Sequence, residues 1–333
     1  MHCPALEELP APPPDKTGWP WTIASTPLPA LMPDGNPWPK ISIVTPSFNQ
    51  GEYIEETIRS VLLQGYPNLE YLIMDGGSSD QSLNLIQKYA KWIAHWVSKP
   101  DAGQSSAINE GFLQATGVWA NWLNSDDILL PNTLVKIAQT IDERTTLVCG
   151  RAEYRDAELK VIVYRCETNV VDRGNLFSYF DGIFVSQPSC FFSLDKFREV
   201  GCLDKNLHYC MDLDLWFRFA EMSGLRSVDT VLSVMRLHDK AKTPNGCLDL
   251  VDEVELVFSR YAGNLKKSHP ISYANLRNER ARRKVQVAIA DLKKRKFQSA
   301  LLHYFSAFRY SWVMPFVSLP LKNLLRKVLF GRK

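Results

Sequence analysis

From residue 41 onward the apolar positions alternate between short continuous runs and stretches with helical spacing. Ile41-Ser42-Ile43-Val44-Thr45 is a β-rich run, and Ile54, Ile58, Val61 and Leu62 then recur on one helical face. Asn49 with Glu52 three residues on predicts a capping-box start for that helix. Tyr71-Leu72-Ile73-Met74 is a second buried run ending at Asp75. The turn Gly76-Gly77-Ser78-Ser79-Asp80 leads into a helix with Leu83, Ile86 and Tyr89 inward. A third strand spans residues 92–97. A helix from about Ser105 places Ile108, Gly111, Phe112 and Ala115 on one face until Gly117 stops it. Residues 118–123 form a fourth strand that ends in Asn124-Ser125-Asp126-Asp127, and Pro131 opens a helix with Leu134, Val135, Ala138 and Ile141. Repeated strand–helix units of this length predict an α/β fold, a mostly parallel central sheet with helices on both faces. Ligands of such sheets gather outside the carboxyl ends of the strands, and here those ends carry Thr45, Asp75 and Asp126-Asp127.

The rest of the chain is patterned differently. Beyond residue 150 the text is mixed, with strand character at 160–164 and a helix over 211–222. From Asp252 it reads as helical and increasingly basic, with residues 278–308 resembling one helical hairpin. The first forty residues are rich in proline, with ten between Pro10 and Pro39, and sustain neither helix nor central strand; Trp19, Trp21 and Trp38 predict an extended arm lying on the core. With 45% hydrophobic and 23% charged residues, a 333-residue chain has globular proportions and buries a substantial core. A net charge of +3 is too small to argue for nucleic acid as a partner. Seven cysteines without a CxxC pair give no zinc or redox signature and fit a reducing cytoplasm. No signal peptide and no uninterrupted membrane span is read. The tail from about Leu301 to Lys333 is apolar but broken by Pro315 and Pro320, and then basic, with Lys322, Arg326, Lys327, Arg332 and Lys333. That pattern predicts contact with an anionic membrane surface, with docking on the protein or burial in a homodimer as the alternatives.

Adjacent carboxylates at the end of an apolar strand repel each other unless a cation or hydrogen-bond donors compensate them. A hard divalent ion bridging Asp126-Asp127 and a diphosphate would do so. Alone, the dipeptide also reads as a solvated turn with Asp127 or Asn124 capping a helix. Thr45-Pro46-Ser47-Phe48-Asn49 supplies hydroxyls, an aromatic face and a helix start suited to an anionic nucleotide. Asp75-Gly76-Gly77-Ser78 lets backbone approach a ligand closely. Three polar strand ends in order favour the binding reading.

These segments, with Asp101-Ala102-Gly103-Gln104 and Ala107-Ile108-Asn109-Glu110-Gly111, resemble family-2 glycosyltransferases of the GT-A fold from about Lys40 to His238. The resemblance implies that Thr45, Ser47 and Phe48 hold a nucleotide and that Asp75 contacts base or ribose. Asp126 would meet ribose, and Asp127 would be the direct ligand of a divalent metal, Mn2+ or Mg2+. Many relatives have two acids where this chain has Asp75-Gly76. Asp212, in Met211-Asp212-Leu213-Asp214-Leu215-Trp216, falls at the catalytic-base position, and Arg236-Leu237-His238 resembles a closing segment where a basic pair approaches the diphosphate. Helix capping by Asp212 or Asp214 is the competing reading of that motif.

The implied organisation is an arm at 1–39, a catalytic domain at 40–250 with a nucleotide half to 150 and an acceptor half beyond, and a basic helical region at 251–333. The implied activity is inverting transfer of a sugar from a nucleotide-diphosphate donor, such as a UDP-sugar, to a saccharide or lipid-linked acceptor. Bacterial surface-polysaccharide synthesis at the inner face of the membrane is the implied setting. A nucleotidyltransferase, a nucleotide-sugar hydrolase or a non-catalytic binding protein are the alternatives; no GxxxxGK[ST] phosphate loop is present.

Overall fold

The structure, a computed structural model, describes residues 3–167, 171–181, 184–242, 248–294 and 296–311. They form two compact units, one made of the chain up to Leu176 with Phe184–His238, the other of Phe177–Ile183 with the chain from Asp239.

The first unit is built on one sheet. Its first half follows the strand–helix alternation: β1 (Ile41–Ser47), α1 (Ile54–Leu62), β2 (Leu69–Asp75), α2 (Ser82–Tyr89), β3 (His95–Ser98), α3 (Gln104–Gln114) and β4 (Trp119–Trp122). These strands lie parallel in the order β3-β2-β1-β4. The second half comprises β5 (Ile128–Leu129), α4 (Thr133–Thr140), β6 (Leu147–Arg155), β7 (Ile162–Cys166), α5 (Arg173–Leu176), β8 (Cys190–Ser193), α6 (Leu194–Glu199), α7 (Met211–Ala220) and β9 (Leu225–Arg236). Here the sheet continues as β8-β6-β9-β5 and is mixed: β6 and β9 are parallel, whereas β8 runs antiparallel to β4 and β6, and β7 and β5 are antiparallel partners of β6 and β9. The parallel order therefore stops where the strand–helix alternation stops.

Alternation of side chains across β1 and β2 gives each face its own layer. Ile41, Ile43, Leu69, Tyr71 and Ile73 join Ile54, Ile58, Val61 and Leu62 of α1 in one cluster. Val44 and Met74 turn to α3, packed so closely that a Cβ on Gly111 would lie 2.6 Å from Val44 Cγ1. Beyond them Phe112, Trp122, Phe192, Phe197 and Trp216 form an aromatic layer, with Trp122 stacked on Trp216 at 6.0 Å.

Helix α1 begins at Ile54, later than the capping box predicts. Asn49 adopts a left-handed φ of 53°, and its side-chain oxygen accepts from Ser79 N–H at 2.9 Å, so it ties two strand-end loops together and caps no helix. The arm carries one short 3-10 turn, at Leu6–Glu8, and buries Leu9, Trp21 and Trp38. Fully buried Arg59 of α1 holds it by donating to the carbonyls of Pro10, Pro20 and Trp21.

The second unit is helical: α8 (Leu248–Ala262), α9 (Leu265–Ser268), α10 (Pro270–Lys293) and α11 (Phe297–Ala307). Ala281, Val285, Ala288, Leu292, Ala300 and Ala307 form the α10–α11 contact. Among the described residues no helix is long and apolar enough to cross a membrane. Residues 312–333, which carry most of the predicted basic tail, lie outside the described residues.

Candidate active site

The carboxyl ends of β2, β1 and β4 lie side by side: Ser47 pairs in register with Asp75, and Leu123 N–H donates to the Val44 carbonyl. Thr45 is enclosed, its hydroxyl 3.0 Å from the Tyr71 hydroxyl. Two residues on, the buried Ser47 hydroxyl has no partner among the described residues, and Phe48 beyond it is 62% exposed. The strand end thus offers an orphan hydroxyl beside an open aromatic face. Asp75 is turned inward. Its carboxylate accepts from the Gly77 and Ser78 amides at 3.2 and 2.9 Å and from the Ser78 and Ser98 hydroxyls at 2.5 and 2.6 Å. It shapes the Gly76-Gly77-Ser78 turn. A Cβ on Gly76 would come within 2.9 Å of an Asp101 carboxylate oxygen, so a larger residue there would have to push that side chain aside.

The acidic pair divides into an enclosed member and an open one. Asp127 is 2% exposed, and its two oxygens accept from the Arg236 amide at 3.1 Å and the Asn124 side-chain amide at 3.2 Å. Burial, and next the neighbouring Asp126 charge, push its carboxyl well above the ordinary carboxylate range against those hydrogen bonds. Asp126 keeps 18% of its side chain exposed, with Oδ2 at 3.0 Å from His238 Nε2 and Oδ1 accepting nothing among the described residues. Accessibility therefore runs opposite to the roles the resemblance gives the pair, in which Asp127 is the direct metal ligand. His238 is buried and packed on Tyr53 at 4.5 Å, and its Nδ1 is unpartnered among the described residues. Arg236, expected near a diphosphate, is instead committed inside the protein: Nε donates to the Asp126 carbonyl at 2.9 Å and Nη2 to Glu56 at 2.7 Å.

Sequence reasoning missed the support beneath this pair. Thr57 and Ser60 of α1, with Gln64 just past its end, form a buried polar row. Thr57 donates to the Asp127 carbonyl at 2.7 Å, Ser60 accepts from Leu129 N–H at 3.2 Å, and Gln64 donates to the Leu130 carbonyl at 3.0 Å. The signal was polar residues recurring at helical spacing beside an apolar stripe.

In the acceptor half, Asp212 opens α7, half-buried, and accepts from Leu213 N–H at 2.8 Å. Asp214 is buried and paired with Arg218 at 2.9 Å, which in turn donates to the Val200 and Cys202 carbonyls. Trp216 lies in the aromatic core against Trp122. Gln187 donates to the Trp122 carbonyl at 2.6 Å, leaving its own buried oxygen unpartnered among the described residues.

Among the described residues no group of three or more His, Cys, Asp and Glu is arranged to enclose a metal. One open carboxylate with a buried imidazole beside it does fit a hard or borderline divalent ion that draws its remaining ligands from phosphate and water.

Residues 42–201 match the family model described as Glycosyl transferase family 2. An uncharacterised glycosyltransferase of Rickettsia typhi is 29% identical over 244 residues, 70% of this chain and 74% of that protein. The putative teichuronic acid biosynthesis glycosyltransferase TuaG of Bacillus subtilis is 34% identical over 110 residues, 32% of this chain and 44% of that protein. In fold the chain resembles S. aureus TarS 1–349 in complex with UDP-GlcNAc, with a TM-score of 0.53, 17% identity and coverage of 74% and 73% of the two chains. It also resembles the mannosyltransferase PcManGT from Pyrobaculum calidifontis in complex with GDP-Man and Mn2+, with a TM-score of 0.51, 16% identity and coverage of 93% and 83%. Fold and matches together define a glycosyltransferase enzyme of the GT-A type. The match to glycosyl transferase family 2 spans residues 42–201, a little under half of the chain.

Proposed function

We propose that the chain moves a sugar from a nucleotide-diphosphate donor, a UDP-sugar in the first instance, to an acceptor hydroxyl with inversion at the anomeric carbon. The observation that carries this reading is the divided acidic pair just past the end of β4, one carboxylate enclosed by protein donors and one partly exposed, on the strand next to the one that ends in Ser47 and Phe48. Phe48 stacks on the base, and the Ser47 hydroxyl and the Asp75-shaped turn line the ribose and diphosphate. Thr45 acts through its packing on Tyr71. Asp126, with His238 beside it, faces a divalent cation and the diphosphate, while Asp127 holds the loop that presents it. A bound cation would supply charge neutralisation of the departing diphosphate. Asp212 takes the acceptor's proton as its oxygen attacks, and displacement from the face opposite the leaving group inverts the centre. The names of relatives support the donor class and the setting: TarS was captured with UDP-GlcNAc, PcManGT with GDP-Man and Mn2+, and TuaG is named for teichuronic acid biosynthesis. A saccharide or lipid-linked acceptor in surface-polysaccharide synthesis fits that company, with the enzyme working at the inner face of the cell membrane.

Calorimetry with UDP and GDP, in Mn2+, in Mg2+ and in chelator, tests the reading. Affinity should depend on the cation and fall with Asp126→Asn. Equal nucleotide affinity with and without chelator would remove the metal from the proposal.

A further inference from the structure

The proline-rich arm does more than cover apolar surface. Two of its side chains bond the segment that follows the acidic pair, and a third reaches that pair through Glu56 of α1. Trp19 Nε1 donates to the Leu129 carbonyl at 2.8 Å, two residues past Asp127, and the Ser25 hydroxyl accepts from Asn132 N–H at 3.0 Å. Trp21 Nε1 donates to Glu56 Oε1 at 2.8 Å, and the other oxygen of that carboxylate accepts from Arg236 Nη2 at 2.7 Å. Arg236 completes the line: Nε donates to the Asp126 carbonyl, its amide to an Asp127 carboxylate oxygen, and its guanidinium lies over the Tyr53 ring at 4.8 Å. Every side chain in the line is buried, and Arg236 retains 2% of its surface.

Packing alone does not require this arrangement. A buried carboxylate is costly unless its charge is met, and Glu56 meets it with one indole donor and one guanidinium. Without Trp21 one oxygen loses its donor. Without the Glu56 charge, the buried Arg236 guanidinium, whose Nε lies 2.9 Å from the Asp126 carbonyl, loses its ion-pair partner. Outer partners of this kind set the orientation of the groups they support.

We propose that Trp21–Glu56–Arg236 is a positioning relay through which the N-terminal arm fixes Asp126 and Asp127, so that arm docking sets the cation-dependent affinity for a nucleoside diphosphate. The functional half of this rests on the donor-site reading above; the structural half does not.

The test uses full-length protein and three substitutions. Trp21→Phe removes one N–H while keeping a ring, and Glu56→Gln removes the charge. Trp38→Phe is the control, because Trp38 packs edge-on against Tyr66 and donates to the Pro29 carbonyl within the arm, outside the relay. Amide hydrogen exchange over residues 124–130 and 234–238 should quicken in Trp21→Phe and Glu56→Gln and stay at the wild-type rate in Trp38→Phe. The dissociation constant for UDP with Mn2+ should rise roughly 10- to 100-fold in the first two alone. Unchanged exchange in Glu56→Gln overturns the relay. Faster exchange with unchanged affinity overturns its role in the site, as does an equal loss of affinity in Trp38→Phe. A wild-type protein that binds neither UDP nor GDP with Mn2+ defeats the donor reading and with it the functional half, while exchange still decides the structural half.

Discussion

Two aspartates on the first turn of α7 separate cleanly at the level of single residues. Asp214 is spoken for: it is buried, paired with Arg218, and through that guanidinium holds the backbone at Val200 and Cys202. Asp212, half-buried at the helix start, is the base we propose. Asp212→Asn should therefore lower single-turnover rates by about a hundred- to ten-thousand-fold with nucleotide affinity retained. Asp214→Asn should act on stability first, because breaking a buried pair strands its partner. Rate and thermal midpoint measured on both variants check this; a normal rate in Asp212→Asn would send the search for the base elsewhere.

At the scale of elements, the amino ends of the strands, opposite the site, are tied by one carboxylate. Glu70 of β2 accepts from Lys40 at 2.7 Å, from the Ser42 hydroxyl of β1 at 2.5 Å, and from the Thr116 amide and hydroxyl ahead of β4 at 2.7 and 2.6 Å. Burial alone would raise its pKa, but the donors outweigh it and hold the carboxyl near 2 instead of 4.5. The clamp's contribution is thus complete above 4.5 and disappears as pH falls toward 2. Glu70→Gln should cost on the order of 2 kcal/mol at pH 7, allowing for the part of the shift that solvent screens, and much less near pH 2. Urea unfolding of both proteins across that range measures it. A penalty independent of pH would assign Glu70 a packing role. Such cross-element ties also mark the limit of what the sequence discloses. The strands β1 to β4 and their helices were legible because apolar runs and helical stripes alternate cleanly. The mixed second half was not, since β5 is two residues long and β8 is placed by pairing with distant strands. The three polar strand ends could be read as such, but not how Asp126 and Asp127 divide between cleft and core, which Arg236, 109 residues from Asp127, helps to decide.

Across the whole molecule, the described part of the C-terminal unit keeps apolar side chains in the open on α11, where Leu302 is 70% and Phe305 64% exposed. Lys294 and Lys296 precede this helix and Arg309 follows it. Under the proposed membrane setting this face meets anionic lipid. Leu302→Glu with Phe305→Glu should then reduce co-sedimentation with phosphatidylserine-containing vesicles at low salt. Retention of wild-type protein in the supernatant would leave α11 to a protein partner. Glu56 and Arg236 are 180 residues apart in the chain. At ordinary translation rates the ribosome needs roughly 10 to 40 s to travel between them. During that interval β1 to β4 can emerge and pair, yet the acid-bearing loop still lacks the guanidinium that will brace it. The nascent enzyme therefore completes its scaffold first and its donor site among the last events of synthesis, and a chain released before residue 236 would carry the motif without the means to hold it.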